Sequence, residues 1–131
     1  MGDDFSPRVF LGVFLCGGLG ASLRFVVAAL VESAWSGARV PQAGVWACNL
    51  GGCLLIGAIS QALPAGPWRP IIVTGLLGGF TTYSAFALYS ADLVSGGRYA
   101  AFAAHLLAHV IGGLACVWAG VALARVVVSD P

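Results

Sequence analysis

Charge is what this sequence has least of. Only 8% of its 131 residues are charged, and they sum to a net +1, whereas an ordinary soluble domain carries roughly 25%. Charge this sparse excludes a soluble globular domain, and without a basic patch to meet phosphates no nucleic-acid partner is expected. Carboxylates are missing where a transporter would need them. Glu32 and Asp92 stand at the ends of apolar segments, which disfavours a proton-coupled exporter, whose substrate and proton contest a carboxylate inside the membrane. The four cysteines, Cys16, Cys48, Cys53 and Cys116, all lie in apolar segments and form no C-x-x-C pair. They read as small buried residues, not as a disulfide framework or zinc site. No nucleophile, base and orienting group occur together, and no phosphate-cradling loop is present, so an enzyme is not expected.

What the chain does contain is apolar surface. It is 60% hydrophobic with a mean hydropathy of +0.96, the composition of a protein lying almost wholly within the lipid bilayer. At about 20 residues per crossing, the length predicts an all-α protein with a single four-helix transmembrane domain over residues 1–131. Its spans fall at about 8–31, 43–63, 71–94 and 99–128. Arg8 followed by an apolar run superficially suggests a signal peptide, but the run continues past Gly20 to Val31 without a cleavage pattern and is read as a retained span. Met1 to Pro7 should fray. Glu32 to Gln42, with Trp35, Arg39 and Pro41, reads as a loop at the membrane surface, and Pro64 to Pro70 as a tight turn with Trp68 and Arg69 at headgroup level.

The third span is unusual. Gly75 to Tyr89 reads GLLGGFTTYSAFALY and sets Gly78-Gly79 and Thr81-Thr82 in its middle. Glycine weakens a helix, and threonine hydroxyls compete for its backbone bonds, so a broken transmembrane helix is expected here. Unwound backbone at membrane depth is tolerated only where protein or a watery cavity satisfies it, and such breaks mark ion or substrate sites. Just beyond, Tyr83 and Phe86 share a helical face beside Ser84.

Few polar residues lie inside the other spans. Arg24, in the last turns of the first, implies either a snorkelling anchor or a water-filled vestibule. Asn49 in the second is either an interhelical hydrogen bond or a donor facing an anion. His105 and His109, four residues apart in the last, could ligate haem or metal, but no acidic or thiolate partner stands at matching spacing, and satisfied polar residues or the lining of a wet vestibule are preferred. Asn49, Cys53 and Gly57, and then Gly112, Cys116 and Gly120, form small-residue stripes for helix packing. With four spans, Arg8, Arg69 and Arg125 lie on one side and Arg39 and Arg98, with Arg24 approaching, on the other. So weak a bias does not fix orientation, which leaves room for two copies to pair upside down.

Three segments, GGLGASLRF at Gly17 to Phe25, CNLGGCLLIG at Cys48 to Gly57 and GGFTTYSAF at Gly78 to Phe86, occur in that order, one per span. Together they resemble the Fluc (CrcB) family of small bacterial fluoride channels over essentially the whole length. The resemblance implies a dual-topology antiparallel homodimer in the prokaryotic cytoplasmic membrane, passively exporting fluoride through two pores and conferring fluoride resistance. It further implies a structural Na+ at the dimer interface, held by the backbone carbonyls of Gly78 and Thr81. Tyr83 and Phe86 fall on the aromatic pore positions, with Asn49 and Ser84 as polar partners of the anion and Arg24 in a vestibule. Tyr83 stands where the family usually has phenylalanine, and Ala85 and Tyr89 where it commonly has threonine and glutamate.

Overall fold

The computed structural model describes residues 6–35 and 42–128; most of the fraying expected for Met1 to Pro7, and Arg39 and Pro41 of the first loop, lie outside them. The described residues are all-helical. Helix α1 is Pro7–Ala34 and α2 is Ala43–Ala62. Helix α3 covers residues 68–80 in three parts, the turn Trp68–Pro70, a π-helical stretch Ile71–Leu77 and the turn Gly78–Phe80. Helix α4 is Tyr83–Ser95 and α5 is Tyr99–Val128. Counting Trp68–Ser95 across its interruption, four helices are long and apolar enough to cross a membrane.

Helix ends follow local chemistry. Ser6 caps α1 by accepting the Val9 N–H at 3.3 Å, and Pro7 sits where a missing N–H is harmless. The helix continues to Ala34, three residues beyond the expected 31, because nothing in Glu32-Ser33-Ala34 stops it. Likewise α3 begins at Trp68, not Ile71: the Arg69 N–H closes onto the Gly66 carbonyl at 3.1 Å, and Pro70 falls in the first turn, where it is tolerated. Gly97, at a φ of 69°, lets the Arg98 N–H return to the Leu93 carbonyl at 2.8 Å and closes α4.

Helices pack in two close pairs, α1 on α3 and α2 on α5. Glycine makes both approaches possible. A methyl group on Gly57 would run into the Val117 carbonyl and one on Gly120 into the Leu54 carbonyl; Gly20 faces the Leu76 carbonyl and Gly79 the Gly17 carbonyl in the same way. Without water to drive association, backbone proximity of this kind is what holds membrane helices together. Large side chains such as Phe10, Phe14, Trp118 and Val127 point outward, as lipid-facing or partner-facing surface should.

The interruption in the third span is narrower than the sequence suggests. Gly78 and Gly79 remain helical, and only Thr81 (φ −90°, ψ 156°) and Thr82 (φ −143°, ψ 109°) are extended. Gly79 serves the contact with α1 and the threonines make the break.

Candidate ion pathway at the broken helix

Four helical hydrogen bonds are put at risk when residues 81 and 82 unwind, and side chains from three places in the chain substitute in three of them. Thr82 N–H, which a continuous helix would direct to the Gly78 carbonyl, is instead bound by Asn49 Oδ1 at 2.8 Å. Asn49 Nδ2 returns a bond to the Thr82 carbonyl at 3.1 Å, so one carboxamide clamps both sides of one peptide position. Thr82 Oγ1 accepts the Ala85 N–H at 3.3 Å and caps α4, diverting it from the Thr81 carbonyl. Arg24 Nε donates to the Gly79 carbonyl at 3.1 Å, replacing the lost Tyr83 N–H. Thr81 keeps its own N–H and its hydroxyl on the Leu77 carbonyl, both at 3.0 Å.

This accounting leaves the Gly78, Phe80 and Thr81 carbonyls without a hydrogen-bond donor among the described residues. For Gly78 and Thr81 the usual partners, Thr82 N–H and Ala85 N–H, have been taken by side chains. Uncharged, hard oxygen donors freed from a broken membrane helix are the ligands expected for an alkali cation, so the donor chemistry fits Na+.

Beside the break lies a groove of about 390 Å³, lined among others by Asn49, Gly78, Thr81, Tyr83, Phe86 and His109. Asn49 spends only one of its two amide hydrogens on Thr82, and the second remains for a groove ligand. Ser84 Oγ is 3.1 Å from Thr82 Oγ1. Tyr83 is 79% exposed, its ring 5.6 Å from that of Phe86. Phe86 stands in an aromatic cluster. Its ring is stacked on His105 at 5.0 Å and lies 4.8 Å from His109. Trp46 closes the far side at 4.1 Å from His109 and 5.5 Å from His105, and Tyr89 meets His105 edge-on at 5.0 Å.

The candidate residues Asn49, Tyr83 and Phe86 thus share one groove with Gly78 and Thr81, with Ser84 at its rim through Thr82. Arg24 is tied to the break itself. Trp46 was not singled out from the sequence, although it stands three residues before Asn49 and seven before Cys53, on the same face of α2.

Comparison with known proteins resolves the family. Residues 11–121 match the family described as CrcB-like protein, Camphor Resistance (CrcB). The chain belongs to the CrcB family. Members similar to it include the fluoride-specific ion channel FluC of Stutzerimonas stutzeri, 40% identical over 116 residues that cover 84% of this chain and 92% of the relative. The fluoride-specific ion channel FluC 2 of Nitrobacter hamburgensis is 36% identical over 121 residues, 88% of this chain and 96% of the relative. FluC 1 of Moorella thermoacetica is 37% identical over 120 residues, 88% and 82% respectively. These CrcB relatives bear the name of a channel and not of an enzyme.

Proposed function

We propose that the chain forms a fluoride-selective channel that lets F⁻ leave a prokaryotic cell passively across the cytoplasmic membrane. It acts as a dual-topology antiparallel homodimer with two pores and a structural Na+ between the subunits. The observation that carries this reading is the set of unpartnered carbonyls, Gly78 and Thr81 among them, at a break beside an aromatic groove. The names of the CrcB relatives supply the ion.

Fluoride is small and holds water tightly, so a pore must replace hydration with donors and stay too narrow for larger halides. Ring edges of Phe86 and Tyr83 carry partial positive charge and approach an anion without the opposing cation that would trap it. The free Asn49 N–H and the Ser84 hydroxyl add ordinary donors. Successive weak contacts favour passage over retention. Gly78 and Tyr83 are exposed in one chain, where an inverted second copy would cover them. Two copies bring four carbonyls together, and Na+ bound there would pin the two breaks to each other.

Purified protein in liposomes, followed with a fluoride electrode and with chloride as control, tests the reading. Fluoride should leave without an imposed proton gradient while chloride is retained. Fluoride loss no faster than from protein-free vesicles, or equal loss of chloride, would overturn it. Orientation is read separately: a cysteine introduced at Ser95 should react with an impermeant maleimide from both faces of the membrane.

A further inference from the structure

The aromatic cluster contains two groups that the conduction scheme above leaves unused, the imidazoles of His105 and His109. His105 is 4% exposed. By hydrogen-bond geometry among the described residues, neither of its ring nitrogens, nor Nε2 of His109, has a partner. The Phe86 carbonyl, which lies toward His105, accepts Ser90 Oγ at 2.8 Å. Buried polar atoms are almost always satisfied, so His109 Nε2, unpartnered beside the Phe86 ring, points to a ligand. His109 also reaches the groove beside Asn49, Tyr83 and Phe86.

Geometry fixes the state of His109. Its Nδ1 is 3.2 Å from the His105 backbone carbonyl, and a carbonyl can only accept, so Nδ1 carries the hydrogen. Nε2 of the neutral ring is therefore a bare lone pair. Facing a small hard anion, that lone pair repels. A second proton converts it into a charge-assisted N–H donor, which attracts.

We propose that His109 Nε2 is a proton-dependent anion contact, so that this chain accepts fluoride at Phe86 together with a proton taken from water. This deepens the fluoride reading and rests on it. His105, its ring 4.4 Å away, is the neighbour that competes for charge: two imidazolium rings at that separation repel, so a proton on one disfavours a proton on the other. The other groups facing the pair are Phe86, Tyr83 and Tyr89 from α4, and Trp46, Asn49 and the Cys53 thiol from α2. Helix α2 has no charged residue, Asp92 of α4 is exposed, Arg125 stands near the far end of α5, and Arg24 of α1 is engaged at Gly79. Among the described residues of the cluster, only the imidazoles are side chains whose ordinary titration range falls between about pH 5 and 8.

Fluoride efflux is measured from liposomes at matched internal and external pH, stepped from about 8 to about 5.5. The HF leak of protein-free vesicles is subtracted at each step. The unaltered chain should speed up roughly tenfold over this range as the histidine titrates. His109→Gln, whose amide nitrogen stands in for a permanently protonated Nε2, should conduct with no pH dependence; His109→Asn, which offers a donor only near Nδ1, should stay slow throughout. A flat profile for the unaltered chain, or an unchanged slope in His109→Gln, overturns the proposal and leaves the fluoride reading intact. No fluoride flux from the unaltered chain at any pH overturns the reading itself. Should the variants fail to assemble, ¹⁵N spectra of the unaltered chain decide. NaF, and not NaCl, should keep a proton on His109 Nε2 at a pH where it is otherwise lost, and identical spectra in the two salts refute the contact.

Discussion

Replacing Asn49 with aspartate changes one group, NH₂ to O⁻, and separates the two things Asn49 does. The acceptor for the Thr82 N–H survives, since a carboxylate oxygen can occupy the place of Oδ1, now 2.8 Å from that nitrogen. The other side of the clamp fails: where Nδ2 donates to the Thr82 carbonyl at 3.1 Å, two oxygens would face each other. A lost hydrogen bond of this kind removes about 1 kcal/mol, and bonds between membrane helices average about 0.6 kcal/mol, so the fold should survive. The charge weighs more. Two unit negative charges about 5 Å apart at an effective dielectric near 20 repel by about 3 kcal/mol, which lowers fluoride occupancy of the groove by roughly two orders of magnitude. Efflux from liposomes should fall by about that factor while size-exclusion chromatography shows an unchanged dimer. A rate within twofold of the unaltered protein would mean that Asn49 faces no anion and serves only to hold Thr82.

Other expectations follow from the same geometry. Phe86→Ile keeps the apolar volume and removes the ring edge, and should abolish fluoride efflux without disturbing dimer assembly; unchanged flux takes Phe86 out of the pathway. Gly120→Val drives a branched side chain into the Leu54 carbonyl and should destabilise the α2–α5 pair by about 1–3 kcal/mol, read as a lower melting temperature in detergent, whereas the same change at Gly18, which has open space, should be nearly silent. If the Gly78 and Thr81 carbonyls hold Na+, exchanging it for a large organic cation should weaken the dimer, and a dimer equally stable in both salts refutes that assignment.

Hydropathy alone was enough to find four spans, because a bilayer imposes length and apolarity on every crossing helix. Their ends drifted by about three residues where Glu32 and Trp68 prolong helices that composition would have stopped. The break was legible in Thr81-Thr82 and misattributed in part to Gly78-Gly79, since a glycine in a membrane helix can unwind backbone or admit a neighbouring one, and a single sequence does not say which. Packing decides it: Gly79 lies against the Gly17 carbonyl of α1. Arg24 could be named, but its partner could not, because Gly79 is 55 residues away in the chain. The π-helical stretch at Ile71–Leu77 left no sequence signal.

The break is held by three side chains that the rest of the fold brings to it, Asn49 from α2, Arg24 from α1 and the Thr82 hydroxyl from within. Each substitutes for one helical bond that unwinding removes, which matters because an unsatisfied backbone group in hydrocarbon costs several kcal/mol. Had satisfaction been the only requirement, an unbroken helix would have met it with no side chains at all. Instead the arrangement leaves the Gly78, Phe80 and Thr81 carbonyls without a donor among the described residues. The described residues of one chain offer no donor to cover them, and an inverted copy would bring further oxygens of the same partial charge, which repel. If such a copy pairs there, a cation between the two breaks would offset that repulsion, so the proposed dimer and the proposed Na+ stand or fall together.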